Sequence, residues 1–294
     1  MNVFSRLGPT TQGILLMIAT IFFFSLMDAT AKGLSHRYDI LQVVWARYTS
    51  QTLVAVLILL PRLRTVVKTR YLKLQLVRSG FLFGATICFF FGISLIGLAE
   101  ASAIMSVNPM LISVGAFVFL GEPFGLRRAI GVLAGLLGAL VIIRPGSDVF
   151  SFAALFPLAA AVFYAGYALS TRFLGREESV WTSFLYTAVI GTVAATMIAP
   201  FVWQQPSVAD WGLMLLLGAI GGIGQLCLIR ALSVAEAGAI APFAYLGVLF
   251  AAIWGMTFFD EFPDPPVLLG ALVIIGSGVY VWQREYKLAR ASGN

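Results

Sequence analysis

The sequence predicts an all-α polytopic membrane protein, with ten transmembrane helices arranged as two inverted five-helix repeats. Three observations lead there. The 294 residues are 60% hydrophobic and only 11% charged, with a mean hydropathy of +0.95, whereas a water-soluble domain carries roughly a quarter charged residues. The apolar runs are about 18–24 residues long, the length of a helix crossing a hydrocarbon core of roughly 30 Å. The chain also echoes itself: Ala99-Glu100-Ala101-Ser102-Ala103-Ile104 returns as Ala235-Glu236-Ala237-Gly238-Ala239-Ile240. Alternating segments of about ten residues, the mark of a membrane β-barrel, are missing.

The expected spans are 12–34, 40–60, 76–97, 100–120, 127–144, 151–173, 180–202, 210–232, 236–258 and 266–283, with short connections marked by Pro61, Pro123, Pro145, Pro200, Pro206 and Pro263. The first follows Arg6 and contains Ala29-Thr30-Ala31, which imitates a secretory signal. Asp28 and the length of the run argue that it is retained. The fourth and ninth hold helix breakers, Asn108-Pro109 and Pro242. Proline removes a backbone hydrogen bond and frees carbonyls for a ligand, water or a neighbouring helix. The eighth carries Gly218, Gly221, Gly222 and Gly224. Without a preceding strand these read as a close helix contact, not a phosphate loop. Cys88 and Cys227 lie inside apolar spans and read as buried thiols, and His36 is the only histidine. The sequence therefore predicts no metal site and no cofactor. Walker and nucleophile-elbow motifs are absent too.

The basic residues set the orientation. With the amino terminus inside, 15 of the 19 Lys and Arg fall on the inner side: Arg6, six between Arg62 and Arg78, Arg127, Arg128, Arg172, Arg176, Arg230, Arg284, Lys287 and Arg290. Lys32, Arg37 and Arg144 fall outside, and Arg47 lies within a span. This bias places both termini in the cytoplasm of a bacterial-type inner membrane. It also accounts for the net charge of +6 without nucleic acid as a partner.

Five spans per half make the halves enter from opposite sides, with units 1–148 and 149–294. Glu100 maps to Glu236, Glu122 to Glu261, Pro61 to Pro200 and Lys32 to Arg172 at a steady offset near 136–140. Inverted repeats of this kind build secondary transporters that bind substrate near the midplane and rock around it. The expectation is alternating-access movement of a small polar or zwitterionic metabolite: an amino acid, a nucleoside- or cofactor-like compound, or a quaternary amine. Protons or a counter-substrate would drive it, in a monomer or dimer held in the lipid bilayer. The alternatives are a membrane-embedded enzyme and a lipid scramblase or channel. An enzyme would need a cluster of His or carboxylates near one face, which the sequence does not show.

The run Ala99-Glu100-Ala101 through Pro109, then Leu120-Gly121-Glu122 and the following Gly131, Gly135 and Gly138, resembles the ten-helix EamA branch of the drug/metabolite transporter superfamily. Trp45-Ala46-Arg47-Tyr48 is similar to the subgroup with S-adenosylmethionine-uptake-like and riboflavin-uptake-like members. The resemblance covers the whole chain. It implies a central cavity lined by spans 1–4 and 6–9, with spans 5 and 10 outside. Asp260-Glu261-Phe262-Pro263 departs from the family's Leu-Gly-Glu.

Asp28, Lys32 and Arg47 form the first constellation of interest. Asp28 and Lys32 are four apart and share a helix face, and Arg47 lies at a depth similar to Asp28. An intramembrane charge is costly and faces a cavity or a partner. Arg47 is expected to clamp an anionic substrate group with its planar fork, or else to pair with Asp28. Glu100 and Glu236 open spans 4 and 9, as helix-terminal carboxylates or as gating or proton-coupling groups. Glu122 and Glu261 end the same spans and hold loops. Phe24, Trp45 and Tyr164 are the aromatics expected to meet substrate, with Phe24 and Tyr164 equivalent under the repeat. Asn108, Gln225 and Tyr245 complete the expected lining.

Overall fold

The computed structural model describes residues 8–122, 125–143, 152–175 and 177–262, with isolated positions between 265 and 280. Every regular element among them is helical. In order, they are α1 (Pro9–Ser35), α2 (Ile40–Leu59), the single turn α3 (Leu63–Val66), α4 (Leu72–Leu95), α5 (Leu98–Met105), α6 (Asn108–Leu120), α7 (Leu126–Ile143), α8 (Leu155–Leu174), α9 (Val180–Ile198), α10 (Val208–Val234), α11 (Ala237–Ile240) and α12 (Leu246–Phe259). A 3-10 segment, Ala241–Tyr245, joins α11 to α12.

Among the described residues, eight segments are long and apolar enough to cross a membrane: Pro9–Ser35, Ile40–Val66, Leu72–Leu95, Leu98–Leu120, Phe152–Leu174, Val180–Phe201, Val208–Val234 and Ala237–Phe259. They coincide with eight of the ten expected spans. α7 occupies the place of the fifth, and the tenth, 266–283, falls largely outside the described residues. The fourth and ninth expected spans differ from a continuous helix. The fourth is broken at Ser106-Val107 into α5 and α6, and the ninth passes from α11 through 3-10 geometry into α12. Pro109 cannot donate a hydrogen bond to the preceding turn, so the ladder ends there.

Local chemistry fixes the ends. Pro9 starts α1, where its missing N–H is no loss. Asp39, Ser179 and Ser207 cap α2, α9 and α10 by accepting from Leu41, Trp181 and Asp210 backbone N–H groups. Gly121 ends α6 at φ +63° and Asp260 ends α12 at φ +56°. Aspartate is one of the few residues that tolerates this left-handed conformation. Asp260 therefore does the work of Gly121, which gives a physical reason for the departure from Leu-Gly-Glu. After each cap the next N–H bonds back alike, Glu122 to the Ala116 carbonyl and Glu261 to the Gly255 carbonyl, at 3.2 and 3.1 Å.

We call the end of the bundle where α1 begins the near end and the other the far end. Packing is reciprocal between the halves. α1 packs on α10 as α4 packs on α8, α1 on α12 as α6 on α8, and α2 lies against α9. The start of α1 and the end of α8 meet the same end of α10, Gly13 lying against Ala235 and Arg172 donating to the Leu232 carbonyl.

The glycines of α10 carry the closest approach. A Cβ on Gly218 would lie 2.6 Å from the Gln51 backbone nitrogen and 2.8 Å from the Arg47 carbonyl oxygen of α2. Backbone cannot swing aside as a side chain can. Gly218→Ala should therefore destabilise the protein by about 1–3 kcal/mol, whereas Gly80→Ala, which meets nothing within 4 Å, should cost nothing. Thermal unfolding of the two purified variants checks this; equal melting temperatures would contradict it.

Candidate functional site

The break between α5 and α6 sits against the middle of α1, and an internal cavity opens there. Its first lobe, about 90 Å³, is lined by Ser102, Ser106, Asn108 and Pro109 at the break, by Ile21, Phe24, Ser25 and Asp28 of α1, and by Phe89, Met105, Tyr164, Ala244 and Gly247. A second lobe, about 60 Å³, shares Phe24, Asp28, Phe89, Met105 and Tyr164, and reaches Arg47, Thr86, Met27 and Phe90.

The polar groups in this apolar chamber are few. Asp28 makes no hydrogen bond or ion pair with any described residue, although it borders both lobes. Asn108 and Tyr164 are each only 5% exposed. Asn108 Oδ1 and the Tyr164 hydroxyl have no hydrogen-bond partner. Arg47 is different. It is 2% exposed, donates from Nη1 to Thr86 Oγ1 at 2.7 Å and from Nε to Met27 Sδ at 3.1 Å, and lies 4.6 Å from the Tyr48 ring centre. The alternative of an Asp28–Arg47 ion pair is not seen. Phe24 is held by α10, where a Cβ on Gly224 would come within 2.8 Å of its ring.

Of the residues expected to line the cavity, the structure brings together Phe24, Asp28, Arg47, Asn108 and Tyr164. Three are placed elsewhere. Trp45 sits in a cluster with Trp203, at 5.0 Å between ring centres, and donates to Thr196. Gln225 is fully buried, accepts from Gln51 and donates to the Tyr167 hydroxyl. Tyr245 is fully buried with its ring against Gly135 of α7. The lining draws on spans 1–4, 6 and 9. Spans 7 and 8 contribute nothing to either lobe, contrary to what the resemblance implied.

A second arginine escaped the sequence reading. Arg78, one of the inner-side basic residues that orient the chain, is fully buried where α4 meets α8 and α9. It donates to Thr171 Oγ1, the Ser183 carbonyl and Thr187 Oγ1, and lies 5.3 Å from the Tyr167 ring centre. Its position only two residues inside the expected span gave no signal, because a long side chain so near a helix end ordinarily snorkels to the surface.

At each end of the bundle a carboxylate closes a clamp. At the near end, Glu122 is 4% exposed, accepts from Arg172 Nε at 2.8 Å, and receives the backbone N–H groups of Ala237 and Gly238 at the start of α11, at 3.3 and 3.2 Å. Arg172 also donates to the Leu232 carbonyl. At the far end, Glu261 pairs with Lys32 and accepts the Leu98 N–H at the start of α5, at 3.4 Å. Both carboxylates thus sit where a helix N-terminus favours negative charge. The sequence assigned these glutamates to loops; the structure shows that they join the halves. The clamps differ in enclosure. The Glu122 and Arg172 side chains are 4% and 8% exposed, whereas the Glu261 side chain is 36% exposed. Glu100 lies in the first turn of α5 and Glu236 at the N-cap of α11, each beside a clamp and neither in the cavity.

Comparison with known proteins agrees with this architecture. The profile of the EamA-like transporter family matches the chain twice, over residues 11–144 and 151–282. The pseudopaline exporter of Pseudomonas aeruginosa is 30% identical over 273 residues, covering 90% of this chain and 93% of that protein. The riboflavin transporter of Vibrio cholerae is 26% identical over 96% of this chain and 97% of its own length. The S-adenosylmethionine uptake transporter of Rickettsia bellii is 25% identical over 94% of both chains. A protein crystal structure with 19% identity superposes with a TM-score of 0.75, covering 95% of this chain and 99% of the other.

Proposed function

The chain belongs to the EamA-like transporter family, and from that premise we propose that it carries a small polar or zwitterionic metabolite across a bacterial-type inner membrane by alternating access. The named relatives move pseudopaline, riboflavin and S-adenosylmethionine, so the family tie points to a metabolite transporter and not an enzyme. The observation that carries the mechanism is the pair of clamps. Each links one half to the other through a carboxylate, a cation and a helix N-terminus, at opposite ends of a shared cavity. Opening one while the other holds would expose the cavity to one side at a time. Both clamps are formed here, the Glu122–Arg172 one the more enclosed.

The halves are residues 1–148 and 149–294, and both termini lie in the cytoplasm. The doubled family match and the bias of basic residues toward the near end support this. Energy comes from a proton gradient or from exchange with a counter-substrate. Phe24, Asp28, Asn108 and Tyr164 meet the substrate, and Arg47 walls the second lobe.

Counterflow in proteoliposomes tests the mechanism. Vesicles loaded with unlabelled S-adenosylmethionine, riboflavin or amino acids should accumulate the matching labelled compound from outside, with saturation. Flux that does not saturate would mean a channel and would overturn the carrier reading.

A further inference from the structure

The cavity's unmet groups include two acceptors, the Asp28 carboxylate and Asn108 Oδ1, and the Tyr164 hydroxyl, which can donate or accept. Asp28 is the carboxylate that borders both lobes, and it is bonded to no described residue. Asn108 Oδ1 is a buried acceptor with no partner, and the Tyr164 hydroxyl is buried and unpaired. A carboxylate left bare against Phe24, Phe89 and Met105 is costly unless something compensates it. The neighbouring cation does not do so by contact, because Arg47 gives Nη1 to Thr86 and Nε to Met27. Nor is the carboxylate a by-product of the fold. Lys32 and Arg172 recur at an offset of 140 because each clamp needs a cation, and Phe24 and Tyr164 recur at the same offset. At that offset Asp28 falls on Ala168, which is buried and apolar. The clamps are duplicated, but the charge in the cavity is not.

We propose that Asp28, with Asn108 and Tyr164, forms a site for a protonated nitrogen of the substrate, an ammonium or similar N–H-rich cation, flanked by an apolar or aromatic portion lying between Phe24 and Phe89. The cationic end of the substrate thus meets the Asp28 carboxylate, while the Arg47 end of the cavity serves a different part of the molecule. Charge-assisted hydrogen bonds are the strong ones, and the aromatic rings beside the carboxylate favour a cation further. This assignment rests on the transport reading only for its biological setting, because the site is tested by equilibrium binding, which needs no movement of the clamps.

The experiment uses the full chain in detergent and two probes of matched shape, phenethylammonium and phenylacetate, read by thermal shift and by titration of tryptophan fluorescence. Phenethylammonium should bind and raise the melting temperature, and phenylacetate should not. Asp28→Asn should weaken phenethylammonium roughly ten- to hundredfold, the range lost with a hydrogen bond to a charged group. Asn108→Ala should weaken it less. Asp28→Glu, which keeps the charge, should recover part of the affinity. The ligand-free melting temperature of each variant shows that it is folded. Binding of phenylacetate in preference, binding of neither probe, or unchanged affinity in a folded Asp28→Asn protein would each overturn the assignment. Failure of counterflow with intact binding would remove alternating access and leave the site standing.

Discussion

Replacing Glu122 with alanine should lower the unfolding free energy by about 3–5 kcal/mol, the cost of removing one partner from a buried ion pair. Three groups lose their acceptor together: Arg172, which is 7% exposed, and the N–H groups of Ala237 and Gly238. The guanidinium would be left buried beside a helix N-terminus whose partial charge has the same sign. Glu261→Ala, at the far end, should cost less than Glu122→Ala, because its carboxylate is 36% exposed, although Lys32, whose side chain is 7% exposed, loses its partner. Unfolding of both variants under one condition decides this. Equal losses would show that the near end is not the tighter lock. Glu122→Leu combined with Arg172→Met should recover part of the loss, since an apolar pair replaces an ion pair at little cost.

Arg47→Lys should lower stability by about 2–3 kcal/mol and weaken transport with it. Lysine keeps the charge but loses the planar fork. The fork here reaches Thr86 and Met27 while stacking near Tyr48, and the Tyr48 hydroxyl itself bonds to Thr86 at 3.0 Å. Thr86→Val should reproduce part of the stability loss by removing the shared acceptor. Melting temperatures and counterflow rates measured on the same preparations check the point. A variant that melts like the parent yet fails to transport would instead assign Arg47 directly to the substrate.

The periodicity of the chain made eight membrane-crossing segments and their order legible, because hydrocarbon demands uninterrupted apolar length. The broken helices were legible in part. Asn108-Pro109 announced an interruption, but the 3-10 passage at Ala241–Tyr245 is a tertiary accommodation with only Pro242 to mark it. Phe24, Asp28, Asn108 and Tyr164 were found because a polar or repeated aromatic residue inside a span stands out against its surroundings. Trp45 and Gln225 stood out equally and lie elsewhere. Composition shows that a side chain must find a partner but not which neighbour supplies it, and Gln51 satisfies Gln225 from a different helix. The clamps were half visible. The offset paired Glu122 with Glu261 and Lys32 with Arg172, but nothing in one dimension shows that each carboxylate closes on the other half. Arg78 was invisible, since its partners Thr171, Ser183 and Thr187 lie about a hundred residues downstream.

Each half contains a complete set of clamp parts. The first supplies Lys32, the α5 N-terminus and Glu122; the second supplies Arg172, the α11 N-terminus and Glu261. Glu122 binds the second half's cation and Glu261 the first half's, so the fastening is crossed. Two copies of either half, laid head to tail, would therefore own everything needed to latch at both ends. Divergence at these six sites is constrained in trans: a change of charge on one half is answerable only by its twin. The interior has no such obligation. Asp28 is free to exist once, and a single-chain arrangement is what permits a chamber whose carboxylate has no twin between two similarly built fasteners.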